Sequence, residues 1–378
     1  MAYSIPLSFP VFEGNETYYV QSAISSGHLA TNGEFIDRFE ARLLGGVQSH
    51  HAVALNSGTA ALHLALVLLG VGSGDEVICQ SFTFCASANP IVYLGATPVF
   101  VDSEEDTWNI CPEILEDAIL SRLALGKKPK AIVVVHLFGM PAKMDEIRKI
   151  SEKYDIPVVE DAAEALGSTY KGRSCGTLGT LGLFSFNGNK IITSGGGGAL
   201  IASNSSIAQR ARHLSTQARE NLPYYQHLEI GYNYRMNNLA AAVGLAQLEK
   251  LDEFVAKRRG INARYRNLFG EFQGITFQPE LSESKSNYWL STILMDETKT
   301  GLTSENFRSM LSEIGVETRF LWKPLHLQPV YREAPYYGGE VAGKLFARGL
   351  CLPSSASLSL QDQERIAEIL EKQLSNVS

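Results

Sequence analysis

The chain has 378 residues, of which 45% are hydrophobic and 19% charged, with a formal net charge of −7. That balance excludes a disordered chain, and the negative charge argues against an extended nucleic-acid or anionic-membrane surface. The length suits one large domain with a smaller appendage, or two domains. The N-terminal stretch "MAYSIPLSFPVFEG" lacks the basic region and long apolar core of a signal peptide.

From about residue 50 to 200, short apolar runs alternate with helical patterns. "HAVAL" predicts a strand, and "SGTAALHLALVLLG" a helix capped by Ser57 or Thr59 and stopped by Gly70. The longest nearly apolar stretch, "ALHLALVLLGVG", is too short to span a bilayer, so no membrane association is expected. "EVICQ", "TPVFVD", "AIVVVHLFG" and "IPVVED" predict further strands, and "CPEILEDAILSRLALG" and "MDEIRKISEKYD" helices between them. Apolar strands alternating with helices imply an α/β fold whose mostly parallel central sheet is covered by helices. Ligands of such sheets sit at the carboxyl ends of the strands. From Met236 to Phe269 one long helical pattern predicts a connector to a smaller C-terminal α+β domain. That domain would hold the strand "YWLSTILM" and the helices "SENFRSMLSEIG" and "LQDQERIAEILEKQLS". The expected division is a large cofactor-binding domain over 1–250 and a small domain over 251–378. Cys79, Cys85, Cys111, Cys175 and Cys351 form an odd set without a C-x-x-C pair, which suits reduced thiols in a cytoplasm.

The residues after the strands carry the chemistry. Asn56-Ser57-Gly58-Thr59 opens a helix after "HAVAL", where free N–H groups and two hydroxyls make either an ordinary N-cap or a phosphate site. Glu160 and Asp161 end a buried strand, as helix-capping acids or as a cofactor partner. The segment "SFNGNKIITSGGGGA" sets Lys190 between a polar turn and four glycines. A phosphate cradle, a strand-end carboxylate and a lysine beside glycines together suit pyridoxal 5′-phosphate. Other readings lack their patterns. "GVGSGD" misses the third glycine of a dinucleotide fingerprint and follows a helix, the lysine of "GNK" is followed by isoleucine, and no G-x-S-x-G is present. The histidines and cysteines show no zinc spacing, the adjacent pair His50 and His51 reads as incidental, and no metal is expected.

Across nearly its whole length the chain resembles the DegT/StrS family of nucleotide-sugar aminotransferases, of fold-type I. The resemblance runs through "FEARLLGGVQSHHAVALNSGTAALHLALVLLGVGSGDEVICQSFTFCASANPIVYLGATPVFVD", "VVVHLFGMPAKMDEI", "VVEDAAEALGSTYKGRSCGTLG", "FSFNGNKIITSGGGGAL" and "EIGYNYRMNNLAAAVGLAQLEKLDEFVAKRR". It implies that Lys190 is the Schiff-base lysine and Asp161 the partner of the pyridine nitrogen. It further implies that Gly58, Thr59 and Ser185 bind phosphate and that Phe84 stacks on the ring, where core packing is the plainer alternative. Asn233 would reach the phosphate of a neighbouring subunit, which implies a homodimer; Arg235 would brace that loop or lie on the surface. Glu164 stands where many members have histidine or glutamine, and "GGGG" where many have a glutamate after the first glycine. With "FNGNKI", these departures resemble the members that aminate C4 of a UDP-linked 4-keto-6-deoxy-N-acetylhexosamine on a bacillosamine-type route, with L-glutamate as donor. A dTDP- or GDP-linked keto sugar is the alternative within the family. A dehydratase of the same fold would replace Lys190 with histidine, and a non-catalytic sensor would not need the full set of residues.

Overall fold

The apolar runs between residues 51 and 202 supply seven strands of one eight-stranded sheet. The computed structural model describes residues 3–47, 49, 51–270 and 272–374, so His50 lies outside the described residues. The strands are β1 (His51–Leu55), β2 (Glu76–Gln80), β3 (Thr97–Val101), β4 (Ala131–Val135), β5 (Val158–Asp161), the short hairpin β6 (Thr169–Tyr170) and β7 (Arg173–Ser174), β8 (Leu181–Ser185) and β9 (Gly198–Ala202). Later in the chain come β10 (Ile275–Phe277), β11 (Ser284–Lys285), β12 (Ser291–Met295), β13 (Arg319–Phe320), β14 (Tyr336–Tyr337) and β15 (Gly349–Leu352). The large sheet runs β1-β9-β8-β5-β4-β2-β3-β14. From β8 to β14 all neighbours are parallel, whereas β9 is antiparallel to both β8 and β1.

Helices cover both faces, so β2 and β4 are buried along their whole length. Successive residues pack into opposite cores: Val77 and Cys79 join Leu64 and Ile91, whereas Ile78 joins Leu115 and Ile147. The helices of this part are α1 (Glu16–Ser26), α2 (Glu34–Val47), α3 (Gly58–Leu68), α4 (Asn89–Tyr93), α5 (Pro112–Ala124), α6 (Met144–Tyr154) and α7 (Ser205–Ser215). Ser57 caps α3 by accepting from the Ala60 N–H at 3.0 Å, and Gly70 turns the chain away with φ +72°.

The continuous helix expected from Met236 to Phe269 is divided into α8 (Asn238–Glu249) and α9 (Leu251–Phe269). Lys250 between them has φ −103° and ψ 3°. The break has a packing reason. The α8 residues Ala241, Ala242 and Leu245 belong to the core beneath the large sheet, whereas Ile261, Tyr265 and Phe269 of α9 join Ile293, Leu311 and Leu350 in a second core. That second core underlies an antiparallel sheet of order β10-β12-β15-β13. The strand expected from Tyr288 begins only at Ser291. Before it Tyr288 has φ +46°, and the Trp289 N–H and carbonyl are taken by the side chains of Asn287 and Arg258. Not all of the C-terminal chain stays in this layer, because β14 returns to the edge of the large sheet beside β3. No helix among the described residues is long and apolar enough to cross a membrane.

Candidate active site

A cavity of about 580 Å³ opens at the carboxyl ends of the parallel strands. The loops after β1, β2, β5 and β8 line it, and Trp289, Arg319 and Trp322 come in from the second layer. Gly58, Thr59, Phe84, Asp161, Glu164, Ser185 and Lys190 all line this cavity.

One end is built by the first turn of α3. The N–H groups of Gly58 and Thr59, and the hydroxyls of Thr59 and Ser185, have no partner among the described residues. Two glycines make this cradle possible through close approach. A Cβ on Gly58 would lie 2.9 Å from that of Ser185, and one on Gly198 would lie 2.4 Å from the Ser57 carbonyl carbon and oxygen. The glycine run after Lys190 therefore lets β9 pass against the start of α3. Unpaired N–H groups, two hydroxyls and a helix N-terminus fit the phosphate of pyridoxal phosphate.

Asp161 ends β5 at 6% exposure. Its oxygens accept from the Ser87 hydroxyl at 2.7 Å and from the Ala163 N–H at 3.2 Å, and Ser87 is held in turn by Thr83 at 3.0 Å. Glu164 follows at 5% exposure. One of its oxygens accepts from the Phe138 N–H at 2.6 Å and the other lies 3.7 Å from Lys190 Nζ. Phe138 itself sits at φ +56°, a backbone conformation that costs a bulky residue free energy and aims its N–H at the carboxylate. Burial raises the Glu164 carboxyl above the ordinary range and Asp161 adds to this. The Lys190 charge, the Phe138 N–H and the Trp322 indole oppose it. The indole Nε1 is buried and stops short of a hydrogen bond.

The Lys190 ammonium lies 4.1 Å from the centre of the Trp289 ring. The preceding carbonyl, of Asn189, accepts from Trp289 Nε1 at 2.6 Å and from the Ser8 hydroxyl at 2.7 Å, which fixes the loop that carries the lysine. Phe84 is half exposed and lies 5.1 Å from Trp322, so its ring is not core packing but a face open to the cavity.

Asn233 is exposed and does not line the cavity of its own chain. Its carbonyl accepts from Asn56 Nδ2 at 3.0 Å and its side-chain oxygen from Gln217 Nε2 at 3.1 Å. Arg235 is a brace and not a free surface arginine: it pairs with buried Glu40 and donates to the Ala54 carbonyl at 3.1 Å, tying the segment to β1. Sequence reasoning missed Ser87, Trp289, Arg319 and Trp322. Ser87 could have been found as the hydroxyl three residues after Phe84 in "FCAS"; the other three carry no local signal.

The chain matches the DegT/DnrJ/EryC1/StrS aminotransferase family over residues 11–371. It is 48% identical to the candidate pyridoxal phosphate-dependent aminotransferase EpsN of Bacillus subtilis (strain 168), over 97% of this chain and 95% of that protein. It is 38% identical to the GDP-perosamine synthase of Escherichia coli O157:H7, over 97% and 98% of the two chains. Among solved structures, the candidate sugar aminotransferase Spr1654 of Streptococcus pneumoniae in its PLP form superposes with a TM-score of 0.90 at 28% identity, covering 100% of both chains.

Proposed function

Since the chain belongs to the DegT/DnrJ/EryC1/StrS aminotransferase family and is a pyridoxal phosphate-dependent sugar aminotransferase, we propose that Lys190 is its reacting amine. One observation carries this reading: Lys190, Asp161 and the unpaired donors of α3 surround a single cavity. Gly58, Thr59 and Ser185 would hold the cofactor phosphate, and Phe84 would cover a face of the ring. When bound, the cofactor supplies an electron sink for the pair left behind as the donor loses its α-proton.

Asp161 would hold a proton on the ring nitrogen, since Ser87 and Ala163 fix its carboxylate at the border of the cavity. With the cofactor bound, the Lys190 amine would move the α-proton of L-glutamate to the cofactor, and in the second half-reaction would move a proton from the cofactor to C4 of the keto sugar. A positioned amine of this kind contributes about 10²–10⁴-fold. Glu164, 3.7 Å from that amine, supplies a carboxyl that shares its electrostatics.

The proposed acceptor is a UDP-linked 4-keto-6-deoxy-N-acetylhexosamine, aminated at C4. Glu164 and the glycine run without a glutamate support it, since together they set the charge and the room beside the cofactor. The GDP-perosamine synthases among the relatives favour a second reading, a GDP-linked keto sugar. We further propose that two copies of the chain complete the site, with Asn233 of each reaching the other. Exposed Tyr224, Tyr225, Leu228 and Ile230 border that segment and support such a contact.

The test is mass spectrometry of products formed from UDP-, GDP- and dTDP-linked 4-keto sugars with ¹⁵N-labelled L-glutamate. A labelled UDP-4-amino sugar formed with the highest kcat/KM is expected. Preference for the GDP or dTDP sugar would overturn the substrate while leaving the enzyme class standing.

A further inference from the structure

Four charged side chains line the cavity: Asp161, Glu164 and Lys190 from the large-sheet side, and Arg319 from the second layer. Both substrates are anions, because L-glutamate carries two carboxylates and a nucleotide sugar a diphosphate. Without Arg319 they would enter a lining in which two carboxyls face one cation.

Arg319 begins β13, opposite Cys351 of β15. Its Nε and Nη2 both donate to one oxygen of Glu317, at 3.2 and 3.0 Å, and the other Glu317 oxygen accepts from the Leu7 N–H at 3.0 Å. The Arg319 Nη1 has no partner among the described residues. At 64% side-chain exposure this could be an ordinary surface ion pair. Its position argues otherwise, because Arg319 lines both the main cavity and the small adjoining cavity shared with Asn189, Trp289 and Trp322. Asn189 is the residue before Lys190 and Trp289 lies against the Lys190 ammonium, so Arg319 shares its part of the cavity with the neighbours of that amine.

We propose that Arg319 anchors a carboxylate of the amino donor, with Glu317 holding the guanidinium in place. The inference rests on Lys190 being the reacting amine. The α-carboxylate of L-glutamate is one bond from the carbon that must meet that amine. A diphosphate on C1 of a pyranose lies across the ring from C4, and so farther from the chemistry. A guanidinium with a free edge matches a carboxylate in charge and in planar geometry.

The test uses the holoenzyme and the variants Arg319→Gln and Arg319→Lys, with succinate as an unreactive dicarboxylate probe. Calorimetry should show succinate binding weakened about 10- to 100-fold in Arg319→Gln and partly recovered in Arg319→Lys. In separate half-reactions the KM for L-glutamate should rise by a similar factor, while the KM for the keto sugar stays within about twofold. Unchanged succinate affinity and glutamate KM would overturn the inference. So would a rise confined to the keto-sugar KM, which would assign Arg319 to the diphosphate. Borohydride fixation of cofactor on Lys190 separates the two levels: unaltered fixation with unaltered succinate binding removes only the anchor, whereas fixation elsewhere in the wild type removes the premise and the anchor together.

Discussion

Glu160 and Asp161 are consecutive on β5, and the alternation of a strand sends their carboxylates to opposite faces of the sheet. On one face Glu160 is fully enclosed. It accepts from His136 Nε2 at 2.8 Å, from the Gly176 N–H at 2.9 Å, and from the N–H groups of Leu178 and Gly179. His136 Nδ1 accepts from the Ala142 N–H, so Nε2 carries the ring proton toward Glu160. On the other face Asp161 has two partners and borders the cavity. Two neighbouring buried acids thus do different work. The saturated one fastens the loop of residues 176–179 to the sheet, and the one with free lone pairs is available to a ligand.

The contrast between a saturated scaffold and an open site orders the expected effects of substitution. Lys190→Ala should lose turnover by about 10⁴-fold or more, because it removes both the covalent holder and the proton carrier. Its melting temperature should stay near that of the wild type, as the ammonium touches only cavity residues. Glu160→Ala should instead destabilise the protein by about 3–5 kcal/mol in chemical denaturation, since three backbone N–H groups and His136 lose their acceptor at once. A stability loss under about 1 kcal/mol would break the comparison. Asp161→Ala should weaken cofactor binding roughly 10- to 100-fold, read by titrating apoprotein with pyridoxal phosphate, while leaving the fold intact.

Gly198→Ala tests the cradle from behind. The added methyl meets the Ser57 carbonyl at 2.4 Å, and overpacking of this kind costs about 1–3 kcal/mol. It should weaken inorganic phosphate binding to the apoprotein; unchanged phosphate affinity would show that the turn of α3 does not need the close approach. The smallest effect concerns Glu164. Its carboxyl is raised in the folded chain, first by burial, above the reference of 4.5. The stability it contributes is therefore complete below that reference and lost as pH rises through the folded value. Glu164→Gln should remove this slope, about 1.4 kcal/mol per pH unit within the window. The difference between variant and wild-type apoprotein should then grow as pH increases from 4.5. Parallel stability curves would contradict the raised carboxyl.

Much of this arrangement can be seen in local patterns. Continuous apolar runs mark β1 to β5, Ser57 and Gly70 mark the ends of α3, and the isolation of Lys190 among polar residues and glycines marks the site. Most of what escaped depends on long-range packing. An apolar run reads the same in either direction, so nothing local told that β9 runs antiparallel between β8 and β1. Helix α1 buries only Glu16, Tyr19 and Ala23, a sparse stripe, whereas α2 buries Phe35, Ile36, Phe39, Leu43 and Val47 at helical spacing, a local signal that sequence reasoning missed. Trp289, Arg319 and Trp322 reach the cavity only because the second layer folds back over Lys190, roughly a hundred residues earlier. The break at Lys250 likewise reflects two cores competing for one helical sequence.

The central claim is that Lys190 is the amine around which the cavity is organised. Its most direct test is borohydride reduction of the holoenzyme, followed by peptide mapping of the fixed cofactor. The account predicts a single adduct on the peptide containing "FNGNKIITSGGGG", at Lys190. An adduct on any other lysine, or none in a protein that has bound the cofactor, would contradict it.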